Sequence, residues 1–242
     1  MLVSGQKVKD QMIAHDLAKP ENCLIIGYPK FDTLSASREK RYFDNDNPVF
    51  LYNPHFDPYL SSWYDHGEKI LEWFFHNQDR YNLILAPHVM LFLKELHISP
   101  EYKKGRLRPG VADKYRNAPN IHVDVDSARL FDMSYTMAAD AYIGDVSSQV
   151  YEFLYRPRPV FFINTHSEEH SKDEPAYEFW LNGPVVTTVD ELFDRLPDHE
   201  MIGARYRAEQ QRLTEYTMSI DPDRTAAERG AEALANVLGQ PV

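Results

Sequence analysis

Short apolar runs separated by amphipathic stretches are the feature that most restricts how this chain can fold. Each run borders Pro, Gly, Asn or Asp on at least one side, which is typical of short buried strands. Between two of them, the apolar residues of the stretch 59–76 recur at helical spacing. Strands that alternate with helices predict an α/β fold with a parallel sheet covered by helices on both faces. The runs lie at residues 49–52, 81–86, 120–125, 141–143, 158–163 and 185–188.

The stretch 139–154 carries the strongest functional pattern in the chain. A predicted strand at 141–143 enters a Gly144-Asp145 turn, and a helix is predicted to begin at Ser147 or Ser148. A helix N-terminus offers unpaired N–H groups and partial positive charge, so phosphate binds there readily, and two hydroxyls add donors. Glu152, about one turn later, is placed to accept hydrogen bonds from ribose hydroxyls. Serines at a helix start also serve as simple caps, so this stretch alone leaves a purely structural role open.

Composition excludes several classes of protein. The net charge of -11 over 242 residues argues against a general nucleic-acid binder, which needs a basic face. Cys23 is the only cysteine, so no internal disulfide forms, as expected in a reducing cytoplasm. No apolar run reaches 18 residues, and the N-terminus lacks the basic start and apolar core of a signal peptide. We therefore expect a cytoplasmic protein of one domain or two small lobes.

Two further clusters have a structural and a functional interpretation. His166 and His170 have the i, i+4 spacing of metal ligands, but no third ligand is evident, so no metal is predicted. A basic cluster falls in a predicted polar loop at 99–110, after a predicted helix at 91–96. It could contact an anionic lipid or polymer, although a solvated loop is favoured. The cluster comprises Lys103, Lys104, Arg106 and Arg108.

A series of short motifs follows the predicted strands in a fixed order. These motifs are Gly27-Tyr28-Pro29-Lys30-Phe31-Asp32, Asn53-Pro54, Pro87-His88, Asp126-Ser127, Gly144-Asp145-Val146-Ser147-Ser148, Arg158-Pro159 and Gly183-Pro184-Val185-Val186-Thr187. The series resembles the CDP-glycerol glycerophosphotransferase family, whose enzymes build teichoic-acid-like polyol phosphates. The resemblance implies a Rossmann-like parallel sheet equivalent to the C-terminal, nucleotide-binding lobe of a GT-B fold. The frame is more loosely similar to UDP-N-acetylglucosamine 2-epimerases, where two glycines would stand at Ser147 and Ser148.

The resemblance also implies roles for individual residues. Ser147 and Ser148 would bind the donor pyrophosphate, and Glu152 would hold the ribose. His88 would reach the phosphate from the end of the third strand of the sheet. Asp126 and Ser127 would lie near the base of the nucleotide. The pattern of strands agrees, because all of these groups except Glu152 follow strands directly, and open α/β sheets bind ligands at the carboxyl ends of their strands.

The implied function is transfer of glycerophosphate, or a related polyol phosphate, from a CDP-activated donor to an acceptor hydroxyl. The expected partners are that donor and a polyol-phosphate or lipid-linked acceptor, with peripheral association at the inner face of the membrane and no cofactor. Two alternatives remain open. One is a UDP-sugar epimerase or glycosyltransferase-type lobe, and the other is a non-catalytic nucleotide-binding module.

The sequence departs from the family pattern in two places. Where the family has Pro-Thr-aromatic-Arg, this chain reads Pro54-His55-Phe56-Asp57, so a basic phosphate contact is either missing or replaced by His55. The family's Trp-His-Gly segment, whose histidine is thought to deprotonate the acceptor, has no counterpart. We therefore expect residues 1–242 to form a single donor-binding lobe, with helices at 1–20 and 200–242 at its edge. The general base would come from a missing N-terminal lobe or a partner chain.

An open half-site would leave aromatic side chains uncovered at the end of the first two predicted strands. The sequence predicts unusual exposure for four of them, because the opposite wall of the cleft would be absent. They are Tyr28, Phe31, Phe56 and Tyr59.

Overall fold

The computed structural model describes residues 1–36, 41–147, 149–166 and 175–239. The chain divides into two compact units, one formed by residues 1–38 and 208–242 and the other by residues 39–207. Within the described residues the strands are β1 (Leu2–Val3), β2 (Leu24–Ile25), β3 (Val49–Asn53), β4 (Asn82–Leu85), β5 (Leu96–Ser99), β6 (Lys104–Leu107), β7 (Ile121–Val123), β8 (Ala141–Gly144), β9 (Val160–Ile163) and β10 (Val185–Val186). The α-helices in the same residues are α1 (Gln6–Ala14), α2 (Trp63–His76), α3 (Asp113–Arg116), α4 (Ser134–Ala138), α5 (Val150–Phe153), α6 (Val189–Arg195), α7 (His199–Met218) and α8 (Ala226–Leu238).

The second unit is built on a six-stranded sheet with the order β10-β9-β8-β3-β4-β7, in which every pair is parallel. From β3 the chain builds outward through β4 to β7, and it then returns to the other side of β3 to add β8, β9 and β10. The order therefore reverses between β3 and β8, where Asn53 is in register with Gly144. The predicted α/β fold with a parallel sheet is confirmed, and its topological switch point lies between these two strands.

Helix α2 covers one face of the sheet with the apolar stripe that the sequence predicts. Ile70, Leu71 and Phe74 are buried, and the ring of Phe74 packs 5.5 Å from that of Phe50 on β3. Full burial of such a side chain contributes about 1.5–3 kcal/mol. This packing fixes the last turn of α2 against the start of β3.

A glycine sets the approach of β10 to β9. A Cβ at Gly183 would lie 2.2 Å from the carbonyl oxygen of Val160, so only glycine fits between the strands. The next residue, Pro184, accepts a hydrogen bond of 2.9 Å from Phe162 N, which begins the β9–β10 pairing. The Gly-Pro-Val-Val motif is therefore explained by strand packing.

Residues 96–107 form an antiparallel hairpin, which corrects the predicted helix at 91–96 and polar loop at 99–110. Side chains alternate along β5, with His97 and Ser99 buried and Leu96 and Ile98 exposed. A strand-like period of two thus prevails over the helical interpretation.

Two residues of the basic cluster on this hairpin, Lys104 and Arg106, contact other parts of the second unit. Arg106 makes a bidentate ion pair of 2.6 and 2.7 Å with Asp65 on α2, and the ammonium group of Lys104 lies 5.6 Å from the centre of the Tyr59 ring. These two contacts attach the hairpin to the rest of the second unit.

In the first unit, helix α1 (Gln6–Ala14) is shorter than the helix expected at residues 1–20. Leu2 and Val3 form a strand that pairs in parallel with Leu24 and Ile25, and α1 begins only at Gln6. Backbone pairing takes these first residues out of the helix. Near the C-terminus, α7 spans His199–Met218 and α8 spans Ala226–Leu238, and α8 begins with a capping box between Thr225 and Glu228.

In the part of the chain that the structure describes, no helix combines the length and apolar character needed to cross a membrane. The same residues contain no group of three or more His, Cys, Asp or Glu side chains arranged to hold a metal ion.

Candidate functional site

The loops that follow β3 and β8 are joined at the switch point by the carboxylate of Asp145. Its Oδ2 accepts hydrogen bonds from the backbone N–H of His55 at 2.8 Å and of Ser62 at 3.0 Å. The residue is only 1% exposed, and within the described residues Oδ1 has no hydrogen-bond partner. A single side chain thus fixes the loop after β3 and the start of α2 against the loop that carries Ser147.

Burial dominates the electrostatics of this carboxyl group. It raises the pKa of Asp145 to about 7, against the opposing effect of its hydrogen bonds from Ser62 and His55. A carboxyl group with this pKa takes up or releases a proton near neutral pH. The sequence analysis treated Asp145 only as a turn residue, because its partners lie about 90 positions away in sequence.

Two histidines occupy the ends of the neighbouring strands β3 and β4. The ring centroids of His55 and His88 are 5.4 Å apart, and Phe56 packs on both rings at 4.5 and 4.8 Å. The backbone N–H of His88 donates to the carbonyl of Pro54 at 3.0 Å, which couples the two loops. The structure therefore brings His88, predicted as a phosphate contact, together with His55.

The same tautomer is imposed on both imidazoles. His55 Nδ1 accepts a hydrogen bond of 3.1 Å from Asp57 N, and His88 Nδ1 accepts one of 3.2 Å from Met90 N. A neutral imidazole that accepts at Nδ1 carries its proton at Nε2. Neither Nε2 has a hydrogen-bond partner among the described residues, so each ring retains one N–H donor.

Both histidines are neutral at pH 7. Burial, reinforced by repulsion from His88, lowers the pKa of His55 to about 4, although Asp57 acts in the opposite direction. Burial also lowers the pKa of His88. The pair therefore offers two neutral N–H donors rather than two positive charges.

Ser147 lies in the loop after β8, the strand that pairs with β3. Its Oγ accepts a hydrogen bond of 3.2 Å from Gln149 N, and the side chain is half-buried. The helix that follows is a single turn, Val150–Phe153, with Gln149 at the N-cap position. Such a short helix contributes little dipole, so a phosphate at this position would depend mainly on hydroxyl and local N–H groups. Ser148 lies outside the described residues.

Glu152 is less accessible than its predicted ribose contact requires. It is 7% exposed within α5, and its carboxylate contributes to raising the pKa of Tyr142, for which burial is the main cause. Tyr142 donates a hydrogen bond of 3.0 Å to Asn53 Oδ1 at the end of β3. Glu152 therefore lies close enough to Tyr142 on β8 to affect its ionisation.

Asp126 and Ser127, predicted near the base, follow the edge strand β7, one strand beyond β4. Asp126 is exposed, whereas Ser127 donates its hydroxyl to Asp124 and caps the next turn by accepting from Arg129 N at 3.2 Å. Asp124 also accepts from Tyr135 and from the N–H of Ser127 at 3.0 Å. Despite the opposing effect of burial, these bonds hold the pKa of Asp124 below its usual value. The loop is thus organised by Asp124, which the sequence analysis missed.

The four aromatic residues predicted to be unusually exposed are half-buried, which corrects that expectation. Each packs against another ring. In the first unit, Tyr28 and Phe31 make an edge-to-face contact at 5.2 Å. In the second unit, Tyr59 stacks on Tyr102 at 3.9 Å and on His166 at 3.5 Å, while Phe56 contacts His55 and His88.

His166 therefore takes part in ring stacking, and His170, four positions later in the sequence, lies outside the described residues. Its backbone N–H donates to Asn164 Oδ1 at 3.0 Å, which holds the turn after β9. The structure thus gives His166 a packing role beside Tyr59.

A cavity of about 890 Å³ lies at the opposite, amino-terminal end of the strands. Its lining includes residues that immediately precede β3, β4 and β8, namely Pro48, Tyr81 and Asp140. Acidic and basic side chains are mixed around it, and ligands of open parallel sheets bind at the carboxyl ends instead. We therefore assign the candidate site to the switch point rather than to this cavity.

Comparison with family profiles gives one match that covers most of the chain. The profile of the CDP-glycerol:poly(glycerophosphate) glycerophosphotransferase family matches residues 1–235. A comparison with curated proteins finds no match.

Solved structures with a similar fold include two kinds of enzyme. One is the wall teichoic acid polymerase TagF in a variant soaked with CDPG, at 19% identity and a TM-score of 0.66, covering 98% of this chain and 57% of that one. Another is the UDP-GlcNAc 2-epimerase from Neisseria meningitidis bound to UDP-GlcNAc, at 11% identity and a TM-score of 0.51, covering 98% of this chain and 60% of that one. The chain thus spans less than two thirds of the length of these neighbours, and at such identity the likeness shows the fold alone, that of a GT-B type lobe.

Proposed function

Because the chain belongs to the CDP-glycerol:poly(glycerophosphate) glycerophosphotransferase family, we propose that it binds a CDP-activated polyol donor and contributes to transfer of the polyol phosphate. The donor site is the crevice between β3 and β8. The observation that carries this proposal is the set of neutral donors at the switch point, with His55, His88 and Ser147 on adjacent loops of the sheet. Glycerol is the polyol that the family description names.

In the proposed reaction, the acceptor hydroxyl attacks the phosphorus that carries the glycerol. A new P–O bond forms to the acceptor, the P–O bond to the bridging oxygen breaks, and CMP leaves with the bonding electron pair. The acceptor gives up its proton to a base that we place outside this chain, because no segment here matches the family's Trp-His-Gly motif. The residues of this chain hold the phosphates in line and offset their charge by hydrogen bonding.

The remaining predicted contacts belong to the same proposal. Asp126, exposed in the loop after β7, would contact the cytosine, and Ser148 would join Ser147 at the phosphates. Glu152 would need a small opening of α5 to reach the ribose, because it is buried. Association with the inner face of the membrane would bring the site to a lipid-linked acceptor.

Calorimetric titration tests the proposal. Wild-type protein is titrated with CDP-glycerol, with CDP and with UDP-N-acetylglucosamine, and we expect affinity for the cytidine ligands. Ser147→Ala should weaken CDP binding by about 1.5–3 kcal/mol, the usual value of a hydrogen bond to a charged group. Ser134→Ala, at the start of α4, is the matched control.

The same titration distinguishes donor binding from the epimerase or glycosyltransferase-type alternative. Preference for UDP-N-acetylglucosamine would support the function of an epimerase or glycosyltransferase-type lobe instead. Absence of affinity for all three ligands, in protein shown to be folded by circular dichroism, would overturn donor binding.

A further inference from the structure

The β5–β6 hairpin turns its apolar side to the solvent and its polar side to the protein. Leu96 and Leu107 are directly opposed across the two strands, and Ile98 follows on the same side because side chains alternate along a strand. The exposed fraction is 53% for Leu96, 66% for Ile98 and 73% for Leu107, whereas His97 and Ser99 on the other side are buried. Antiparallel strands ordinarily bury the apolar side, so this exposed aliphatic surface indicates a partner. We call Leu96, Ile98 and Leu107 the hairpin face.

Contacts on the inner side hold the hairpin in this orientation. The Nε2–H of the buried His97 donates to the carbonyl oxygens of Leu91 at 3.0 Å and of Lys94 at 3.1 Å. The bidentate ion pair between Arg106 and Asp65 ties β6 to α2. Turning the hairpin to bury its aliphatic side chains would break these bonds and leave a polar imidazole without partners. The hairpin face is therefore directed outward by the fold.

Basic residues surround the hairpin face in a chain that is otherwise strongly acidic. The segment 94–108 has five basic and two acidic residues, a formal net charge of +3, whereas the whole chain carries -11. Lys94 and Lys103 are exposed at the two ends of the hairpin, and Tyr102, in the turn, is exposed as well. The charged residues of the segment are Lys94, Lys103, Lys104, Arg106 and Arg108, with Glu95 and Glu101.

An aliphatic centre with lysines at its ends and a tyrosine beside it has the chemistry of a surface that docks on anionic lipid. Aliphatic side chains enter the boundary between headgroups and acyl chains, long basic side chains reach the lipid phosphates, and tyrosine is favoured at that boundary. Two copies of this chain packed symmetrically through the same face would instead bring the two +3 segments together.

We propose that the hairpin face docks the protein on a bilayer surface rich in anionic phospholipid. Leu96, Ile98 and Leu107 enter the interface, and Lys94 and Lys103 contact lipid phosphates. Residues 86–95 join the carboxyl end of β4 to the hairpin, so the docking surface continues directly from one of the loops at the candidate site. The inference rests on the proposed function for its purpose, which is to bring the crevice to a lipid-linked acceptor.

Co-sedimentation with vesicles tests the proposal. Wild-type protein is mixed with vesicles of phosphatidylcholine alone and with vesicles that also contain about one third phosphatidylglycerol. We expect binding to the anionic vesicles only, and weaker binding when the ionic strength rises from about 0.05 to 0.5 M, because salt screens the attraction. Equal binding to both compositions, insensitive to salt, would contradict the role of the basic residues.

Two double variants separate the aliphatic and the electrostatic contributions. Leu96→Ser with Leu107→Ser should weaken binding to anionic vesicles at least about 10-fold, because less apolar surface leaves water. Lys94→Gln with Lys103→Asn should weaken it about 10- to 30-fold, at about 5-fold for each charge. All four positions are exposed, and asparagine suits the φ of 49° at Lys103, so circular dichroism should show both variants folded.

Matched controls carry the same kinds of substitution on other surfaces. Leu234→Ser with Leu238→Ser changes two exposed leucines on α8, and Lys19→Gln with Lys69→Gln removes two exposed charges. Both controls should bind anionic vesicles like wild type. If the control variants lose as much affinity as the hairpin variants, docking does not depend on the hairpin face and the assignment is wrong.

Fluorescence reports whether the hairpin face enters the lipid. Cys23 is the only cysteine, so a Cys23→Ser background allows one dye to be placed at a chosen position. An environment-sensitive dye on Ile98→Cys should shift its emission to the blue when anionic vesicles are added, and the same dye on Leu234→Cys should not. Vesicle binding without a shift at Ile98→Cys would show that the face stays in water and would refute the proposal.

Failure of docking and failure of donor binding give different results. If vesicle binding depends on the hairpin face but the protein has no affinity for CDP, the docking surface stands and the donor function is wrong. If CDP binds and vesicles do not, the docking surface is wrong and the donor function stands. Sedimentation equilibrium then shows whether Leu96→Ser with Leu107→Ser disrupts a dimer, the result expected if a second copy covers this face instead.

Discussion

At the scale of single residues, the buried carboxyl group of Asp145 makes the stability of the protein depend on pH. Its pKa rises from the ordinary 3.8 to about 7 in the folded protein, so the folded state binds the proton more tightly than the unfolded state. Stability is therefore greatest below pH 4 with respect to this group and falls as pH rises towards 7. The full effect has an upper limit of about 4 kcal/mol.

We predict that Asp145→Asn removes this pH dependence. The amide oxygen still accepts from the N–H groups of His55 and Ser62, and no charge forms at high pH. The free energies of unfolding of wild type and variant, measured in urea from pH 4 to 8, should differ increasingly in favour of the variant as pH rises.

The free energies of unfolding of the two proteins must be compared at each pH, because the titration of His55 changes stability with pH in the opposite direction. Its lowered folded-state pKa makes stability fall as pH drops from about 6.5 towards 4. A difference between wild type and Asp145→Asn that stays constant from pH 4 to 8 would contradict the burial of an ionisable Asp145.

Arg158 connects several elements of the second unit through hydrogen bonds to backbone carbonyls. Its guanidinium donates to the carbonyls of Ala139 at 2.5 Å, Arg156 at 3.2 Å and Phe153, and it packs over the Phe153 ring at 3.8 Å. Burial, followed by repulsion from Arg156, lowers its pKa to about 9. It joins the ends of α4 and α5 to the start of β9.

We predict that Arg158→Met lowers the free energy of unfolding by about 2–4 kcal/mol, because three carbonyl groups lose a charged donor. Urea denaturation measures the change. Arg116→Met on exposed α3 is the control, and equal effects of the two substitutions would contradict the bridging role of Arg158.

At the scale of elements, close packing of β9 and β10 gives a sharp test. Gly183→Ala would place its Cβ 2.2 Å from the backbone oxygen of Val160, and a backbone atom cannot move aside without disturbing β9. We expect a loss of more than about 3 kcal/mol, the scale of severe overpacking. Gly110→Ala is the matched control, because its Cβ would meet no atom within 4 Å. Thermal unfolding that shifts equally for both variants would argue against this packing.

The loop after β7 gives a second test at this scale. Ser127→Ala removes one hydroxyl donor to the Asp124 carboxylate, and we expect a loss of about 1–3 kcal/mol in the free energy of unfolding. If Ser127 is mainly structural, cytidine affinity should change little. A large loss of cytidine affinity with unchanged stability would instead support the base contact that the family resemblance implies.

The sequence is sufficient to predict those helices and strands whose hydrophobic pattern is strong. The amphipathic stretch 59–76 becomes α2, and the apolar runs around Phe50, Leu83 and Ile143 become the central strands. The β5–β6 hairpin was missed, because the pattern Leu96-His97-Ile98-Ser99 alternates over only four residues and its exposed face is the apolar one. Inverted alternation of this kind looks like part of a helix or a loop.

The candidate site was predictable only in part. His88 and Ser147 could be assigned to carboxyl ends of strands, because each directly follows an apolar run. The link from Asp145 to His55 could not be, because it depends on the strand order that places β8 beside β3. The tautomers of His55 and His88 depend on loop geometry, which the residue types alone do not determine.

At the scale of the whole molecule, ligand binding should affect hydrogen exchange differently at the two ends of the sheet. We expect CDP to slow hydrogen exchange in residues 53–57, 86–90 and 144–150, at the carboxyl ends of β3, β4 and β8. Residues 46–48 and 199–207, which line the cavity at the amino ends, should be unaffected. Protection at the amino ends, without change at the carboxyl ends, would move the ligand to that cavity.

The reversal of strand order between β3 and β8 also has a consequence for how the chain folds. These partners are separated by about 90 residues, whereas β3 and β4 are neighbours in sequence as well as in the sheet. Long-range parallel pairing closes a large loop and is slow, so local segments such as α2 with β3 and β4 can form earlier. Asp145 can bond to His55 only after that closure. On a ribosome, the crevice would be assembled only once residues beyond β8 had emerged, so α2 could pack against β3 and β4 before the loops after β3 and β8 meet.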